Sequence, residues 1–152
     1  MSADITLPAG APEEVVTNAL VREVDLSAFG GKGSLALITL DNGHDHNRPN
    51  TFGPQSVNAL NDAITDAIGR NPAAIAITGK PFIFAAGADL SALSFLTDRS
   101  QALAIGKLGH DVFRRLGETK IPTFAKGWNL CNTGRKTEWG LLAPLAIKAM
   151  RP

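Results

Sequence analysis

Blocks of apolar and polar positions alternate along the chain, and the first two apolar blocks predict paired strands. Residues 15–26 are rich in β-branched side chains and partly alternating, which is typical of a half-exposed strand. Residues 35–40 form a nearly continuous apolar run, which indicates a buried strand. The glycine-rich stretch GGKGS lies between them, so the two strands are predicted to form a hairpin.

Two later blocks repeat at the spacing of an α-helix. Pro54 stands where a first helical residue would, and a second amphipathic helix is predicted over 100–118. Gly106 and Gly109 in the second helix predict close approach by a neighbouring element. The first helix places apolar residues at intervals of three and four, namely Val57, Leu60, Ile64, Ala67 and Ile68.

The most informative stretch is FIFAAGADLSAL, residues 82–93. Its pattern predicts a short buried strand over 82–85, a corner at Gly87 and a helix that begins near Asp89. The first N–H groups of a helix have no intrahelical partner and can receive an oxyanion. The stretch is therefore a candidate anion-receiving corner.

The order of the elements predicts an α/β fold. Short apolar runs at 73–78 and 121–125 predict further strands, so the order is ββ, loop, α, β, corner, α, β, which requires crossover connections. We expect residues 1–14 to be a loose leader and residues 15–125 to form the domain. Residues 126–152 change in character and are expected to be a divergent tail.

Composition narrows the classes of function. Lys and Arg number 15 against 14 Asp and Glu, so the net charge of +1 predicts neither a nucleic-acid nor a membrane partner. Cys131 is the only cysteine, which argues against a disulfide framework and fits a cytoplasmic location. No apolar run approaches the roughly 20 residues of a membrane span.

Two local motifs suggest other chemistry but have simpler interpretations. GGKGS resembles part of a phosphate-binding loop, yet Lys32 is followed by Gly33 and then by a strand, so a hairpin turn is expected. His44, Asp45 and His46 are residue types that bind metals, but no further histidine lies nearby except His110, which falls inside a predicted helix. We expect a solvated loop there and no metal site.

Several segments, in order and spacing, resemble the enoyl-CoA hydratase/isomerase (crotonase) family. They are D-N-G…N-R-P-N-T-F, the helix at 54–70, A-I-A-I-T-G, F-I-F-A-A-G-A-D-L and K-I-P-T-F-A, and they extend from about Leu20 to Ala125. The chain looks most similar to the N-terminal hydratase part of multifunctional fatty-acid oxidation proteins, which continue into a 3-hydroxyacyl-CoA dehydrogenase. The resemblance implies a crotonase-like ββα spiral that is incomplete at its C-terminal end.

The resemblance also implies an acyl-CoA thioester as the substrate. Family members hold the thioester oxygen between two backbone N–H groups, an oxyanion hole that stabilises an enolate-like species. The first donor follows the corner glycine and corresponds to Ala88. Coenzyme A is part of the substrate, so no separate cofactor is expected. The residues implied at the coenzyme A arm are Asn50, Thr51, Phe52, Ala86, Gly87, Asp89 and Leu90.

The family pattern breaks after Ala125. Gly134 falls on the glycine that supplies the second donor, but Thr133 and Arg135 replace the glycines on either side. Glu138 lies one place after the family's acid position. Hydration needs two carboxyl groups, and Glu138 is the one candidate found. We therefore expect a truncated acyl-CoA-handling protein of fatty-acid β-oxidation that is weakly active or inactive alone.

The alternative is a non-catalytic module that binds acyl-CoA or pairs with another subunit. An unfinished spiral would expose apolar surface, and such surface favours self-association. A homo-oligomer is expected under this alternative. The sequence therefore supports two hypotheses, an incomplete enzyme and a binding or interaction module.

Overall fold

The computed structural model describes residues 10–45, 47–91, 93–96 and 98–126. None of the helices in these ranges has the length and hydropathy that a membrane crossing requires. Several predictions concern the tail and lie outside the described residues, namely those for Cys131, Gly134 and Glu138.

Four strands form one sheet in the order β1-β2-β3-β4. The pair β1–β2 is antiparallel, whereas β2–β3 and β3–β4 are parallel. The Leu26 N–H donates to the Gly33 carbonyl at 3.0 Å and closes the turn between the first two strands. GGKGS is therefore a hairpin turn, as predicted. The strands are β1 (Asn18–Asp25), β2 (Ser34–Asp41), β3 (Ala74–Gly79) and β4 (Thr123–Lys126).

Two α-helices, α1 (Pro54–Gly69) and α2 (Arg99–Glu118), connect the parallel strands. Proline suits the first position of α1 because no hydrogen bond is required of its nitrogen there. At the start of α2, the Asp98 carboxylate accepts the Ser100 N–H at 2.9 Å and caps the helix. Because α1 joins β2 to β3 and α2 lies between β3 and β4, both parallel pairs have helical crossovers, and the predicted α/β class is confirmed.

The core lies between one face of the sheet and α1. Alternate residues of β2 point into it, and Ala36, Ile38 and Leu40 are at most 1% exposed. From α2, Val112 joins the same cluster. The apolar stripe predicted for α1 supplies the opposite wall, which comprises Val57, Leu60, Ala63, Ile64 and Ala67.

The chain after β3 differs from its prediction in two respects. Residues 82–85 form no strand, and no helix begins near Asp89, since the next helical segment is a 3₁₀ turn at Leu93–Phe95. The close approach predicted at Gly106 and Gly109 is also wrong within the described chain. A Cβ added at either glycine would meet no atom within 4 Å.

A tight turn explains why no strand forms. The Ile83 N–H donates to the Lys80 carbonyl at 3.2 Å, and Pro81 occupies the second position of the turn. Phe82, in the third position, has a φ of +69°, as a type II turn requires. Gly79 allows the turn to fold back onto β3, because a Cβ there would strike the Ile83 carbonyl. The apolar run that predicted a buried strand is therefore a turn with Phe82 at the surface.

Candidate functional site

Two loops, one before α1 and one after the turn, pair as a short parallel ladder. The Ala86 N–H donates to the Asn50 carbonyl at 2.8 Å. The Phe52 N–H donates to the Gly87 carbonyl, and the Asp89 N–H donates to the Phe52 carbonyl, both at 2.9 Å. Backbone bonds thus bring together the two distant segments in which the sequence placed its candidate residues.

The ladder leaves the Ala88 N–H on its outer side. Phe52 and Ala88 form a parallel bridge. In this bridge the N–H and the carbonyl of Phe52 bond to Gly87 and Asp89, the residues before and after Ala88. In such a bridge the partner residue turns its own N–H and C=O away. No backbone bond of the described chain uses the Ala88 N–H, and Ala88 is exposed. Gly87 has a φ of +106°, which residues with a side chain rarely adopt, so glycine permits this corner.

Asn50 is fully buried and uses its side chain inside the protein. Its Nδ2 donates to the Leu40 and Phe84 carbonyls, both at 2.9 Å. Its Oδ1 accepts the Asn42 N–H at 3.1 Å. The side chain therefore joins the end of β2, the loop and the corner, whereas the resemblance implied a place beside the coenzyme A arm.

The other residues implied at that arm surround the ladder. Ala86 and Gly87 are exposed, and Leu90 is 64% exposed. The half-buried Phe52 ring packs edge-on against Phe113 of α2, with centroids 5.7 Å apart and ring planes at 88°. This aromatic pair anchors one side of the ladder to α2.

An open pocket of about 230 Å³ borders the ladder at Thr51 and Asp89. Thr51, Asp89 and Ser91 line it, together with Glu13 and Arg48. The pocket thus combines one cationic and two anionic side chains with backbone and hydroxyl groups. It is able to receive a polar portion of a ligand adjacent to the corner.

Glu14 holds the start of α1 in place, a role that the sequence did not reveal. Its carboxylate accepts the N–H groups of Gln55 and Ser56, each at 2.9 Å, and also the Ser56 hydroxyl. These N–H groups have no intrahelical partner, and a helix N-terminus favours negative charge. Ordered structure therefore begins before the predicted boundary at residue 15. The available signal was Gly53, which stands at the cap position without a side-chain acceptor.

Lys80 is another buried charged residue close to the ladder, at 6% exposure. Its ammonium donates to Asn42 Oδ1, to the His44 carbonyl at 2.8 Å and to the Arg48 carbonyl at 2.7 Å. Three acceptors match the three N–H groups of an ammonium. Nothing in the hydrophobic pattern around the Gly-Lys-Pro turn indicated that this side chain is buried.

The loop that contains the histidines uses its polar groups for its own structure. The His44 N–H donates to Asn42 Oδ1 at 3.1 Å, and Asp45 Oδ1 accepts the Asn47 N–H at 2.9 Å. The described ranges contain no group of three or more His, Cys, Asp or Glu side chains that could hold a metal ion. His46 lies outside those ranges.

No protein-family model and no curated protein sequence matches the chain. Solved structures do match. An enoyl-CoA isomerase of Mycobacterium tuberculosis is 28% identical, with a TM-score of 0.53 over 69% of this chain and 40% of that one. An enoyl-CoA hydratase of Mycobacterium ulcerans Agy99 is 24% identical, with a TM-score of 0.55 over 70% of this chain and 41% of that one. At this identity the similarity is evidence for a shared fold only.

These similarities confirm the fold that the sequence motifs implied. The four-stranded sheet and its two helical crossovers correspond to part of the solved structures, because the chain spans about 40% of their length. The predicted crotonase-like spiral, present in part, is therefore confirmed. The described part of the chain thus has part of a crotonase fold and is similar to an enoyl-CoA isomerase and a probable enoyl-CoA hydratase of known structure.

Proposed function

We propose that the chain handles acyl-CoA thioesters and that its corner is half of an oxyanion hole. The observation that carries this proposal is that Ala88 is an exposed residue whose N–H no backbone bond of the described chain uses. In the proposed role it donates to the thioester oxygen as negative charge develops there. The names of similar solved structures, an enoyl-CoA isomerase and a probable enoyl-CoA hydratase, support the same class of substrate.

The hydrogen bonds that hold the corner support this role. A backbone N–H stabilises a developing charge best when it is oriented before the reaction begins. On either side of Ala88, the N–H groups of Ala86 and Asp89 are held by bonds of 2.8 and 2.9 Å to the opposite loop. The donor can therefore keep its direction with little reorganisation.

We propose that the coenzyme A arm lies along the outer side of the ladder. Asn50 supports this surface from beneath, because its side chain is fully buried. The pocket beside Thr51 and Asp89 is the proposed place for a polar portion of the arm. The remaining proposed contacts come from exposed or half-buried residues, namely Phe52, Ala86, Gly87 and Leu90.

The second half of the proposed site comes from the tail. Gly134 is proposed as the second N–H donor and Glu138 as one acid. A single carboxyl group cannot both activate water and deliver a proton to the enolate efficiently, so hydration by this chain alone should be slow. A place in fatty-acid β-oxidation and a relation to the multifunctional proteins belong to the same proposal.

Calorimetry with a saturated acyl-CoA tests the proposed binding. The chain should bind the thioester more tightly than free coenzyme A, because only the thioester presents an oxygen to Ala88. Ala88→Pro removes the N–H and should weaken thioester binding by about tenfold, in line with the loss of one hydrogen bond to a neutral carbonyl. Ala88→Gly keeps the N–H and is the matched control. Equal affinities for the two variants, or no binding by the unmodified chain, would contradict the proposal.

Hydration of a 2-enoyl-CoA, followed by the loss of its conjugated absorbance, tests the activity. We expect a slow rate, and Glu138→Gln should lower it further while leaving acyl-CoA affinity unchanged. A rate equal to that of the full-length family members would refute the statement that the site is incomplete.

A subunit-interaction module is the second candidate function. Leu103 and Phe113 of α2 are 60% and 50% exposed, and Phe124 of β4 is 37% exposed. Apolar side chains of this size favour association when they lie at the surface. Sedimentation velocity should then show a dimer or larger species that Leu103→Lys disrupts. A monomer at all concentrations would remove this candidate.

A further inference from the structure

We propose that Lys80 is a positioning residue for the corner and acts as an internal cation that shapes the loop formed by residues 42–45 and 47–50. The contribution of Lys80 to acyl-CoA handling rests on the proposed function, but the effect of Lys80 on the conformation of the corner does not. The side chain is 6% exposed, and all three N–H groups of its ammonium have acceptors. Burying an ammonium is unfavourable unless it is fully hydrogen-bonded, so this arrangement is specific.

The acceptors of the ammonium come from three places along the loop. The carbonyls of His44 and Arg48 lie 2.8 and 2.7 Å from Nζ, and Asn42 contributes its side-chain oxygen. Oxygen dipoles that converge on one point repel one another unless a donor or a cation lies between them. The loop therefore depends on the ammonium of Lys80 for its conformation.

Two asparagines connect this loop to the corner. Asn42 donates its N–H to Asn50 Oδ1 at 3.1 Å, and Asn50 Nδ2 donates to the Phe84 carbonyl at 2.9 Å. The Asn50 carbonyl then accepts the Ala86 N–H at 2.8 Å. A continuous series of hydrogen bonds thus leads from Lys80 to Phe84 and Ala86, which lie just before the corner glycine.

This series meets the hydrophobic core at one end, where Asn50 Nδ2 donates to the Leu40 carbonyl at 2.9 Å and Phe84 packs against the buried cluster. The buried cluster between the sheet and α1 includes neither Lys80 nor the two asparagines. Loss of the ammonium should therefore loosen the loop and the corner, while the amides of α1 keep their protection. A residue with a merely structural role would instead affect all amides through global stability.

Hydrogen exchange of the full 152-residue chain tests the inference. Lys80→Met keeps much of the apolar stem and removes the charge, and it should speed exchange of the Ala86 and Asp89 amides by about tenfold or more, with α1 unchanged. Lys32→Met, at an exposed turn position, is the matched control and should change neither region. Unchanged exchange at the corner, or an equal increase in the corner and in α1, would overturn the proposal.

Chemical rescue provides a second test, which also applies if Lys80→Met fails to fold. Lys80→Ala leaves space for propylammonium, which carries the deleted carbons and the ammonium. Propylammonium chloride should restore corner protection, or folding, whereas tetramethylammonium chloride at the same ionic strength should not, because it has no N–H to donate. Equal effects of the two salts would overturn the proposal.

Acyl-CoA binding separates this inference from the proposed function. If the unmodified chain binds no acyl-CoA, the proposed function fails, and the exchange data still decide whether Lys80 positions the corner. If it does bind, Lys80→Met should weaken binding by about tenfold, as Ala88→Pro does. Tight binding by a variant with a loosened corner would refute the role of Lys80 in acyl-CoA binding, although its effect on the corner would stand.

Discussion

Replacement of Glu14 by alanine provides a demanding test of how the start of α1 is held. Glu14 is 7% exposed, and its carboxylate satisfies two N–H groups of the first helical turn and the Ser56 hydroxyl. Hydrogen bonds to a charged group contribute about 1.5–3 kcal/mol, and a donor left without a partner costs about 1–3 kcal/mol. In the Glu14→Ala variant, water can bond to the N–H of the exposed Gln55, so only the N–H of the buried Ser56 is left without a hydrogen-bond partner. We expect Glu14→Ala to lower the free energy of unfolding by about 3 kcal/mol.

Urea denaturation followed by circular dichroism measures this loss. Glu13→Ala is the matched control, because Glu13 is exposed and adjacent in sequence, and it should change stability by less than about 0.5 kcal/mol. A loss below about 1 kcal/mol for Glu14→Ala would refute the assignment of Glu14 as the cap of α1.

A second substitution sharpens the test. Gly53 has the extended backbone of a helix cap, but a Cβ there would strike the Glu14 carboxylate. Gly53→Ser should therefore destabilise the unmodified chain. In the Glu14→Ala background the space is open and the serine hydroxyl can cap α1, so the same change should restore about 1 kcal/mol. An effect of the same sign in both backgrounds would contradict the reasoning, since the two residues would then be uncoupled.

Three further predictions concern the turn and α2. Gly79→Ala should lower the free energy of unfolding by about 2 kcal/mol, because the added Cβ would strike the backbone of the turn. In the same urea denaturation series, Gly69→Ala should be neutral or slightly stabilising, because its Cβ would meet no atom within 4 Å. Phe82→Asn should stabilise by about 0.5–1 kcal/mol, since asparagine tolerates a positive φ; a loss of stability would contradict this reason. The Ser100 N–H and then its hydroxyl lower the pKa of Asp98, so its contribution to stability is complete above the unfolded pKa and is lost as pH falls through the folded pKa. Asp98→Asn should therefore make the thermal stability of the protein depend less on pH below about pH 4. Thermal melts with identical pH dependence for both proteins would refute this.

Much of the scaffold could be predicted because its signals are local. The apolar spacing from Pro54 predicted a helix at 54–70, and α1 is Pro54–Gly69. Alternation and apolar runs placed β1, β2, β3 and β4 close to their observed bounds. Each of these signals arises within one element, from the period at which a helix or strand presents its side chains to the core.

The sequence motif located the candidate site but did not predict its geometry. The corner glycine and Ala88 were identified from the sequence around residue 87, and the resemblance to the crotonase family was confirmed by fold. The strand predicted for 82–85 was wrong, because an apolar run does not distinguish a buried strand from a turn with Phe82 at the surface. Which face Ala88 presents follows only from its bridge to Phe52, a residue far away in sequence.

The sequence by itself determined the order and type of the elements, since these depend on neighbours within a few positions. Tertiary structure alone decided the partners of the buried charges. Glu14 bonds to Ser56 across 42 positions, and Lys80 bonds to Arg48 across 32. A charged side chain is normally exposed, and it is buried only where distant backbone groups converge to satisfy it. Such convergence leaves no periodic trace in the sequence, so the hydrogen-bond partners of Glu14 and Lys80 became visible only in the folded chain.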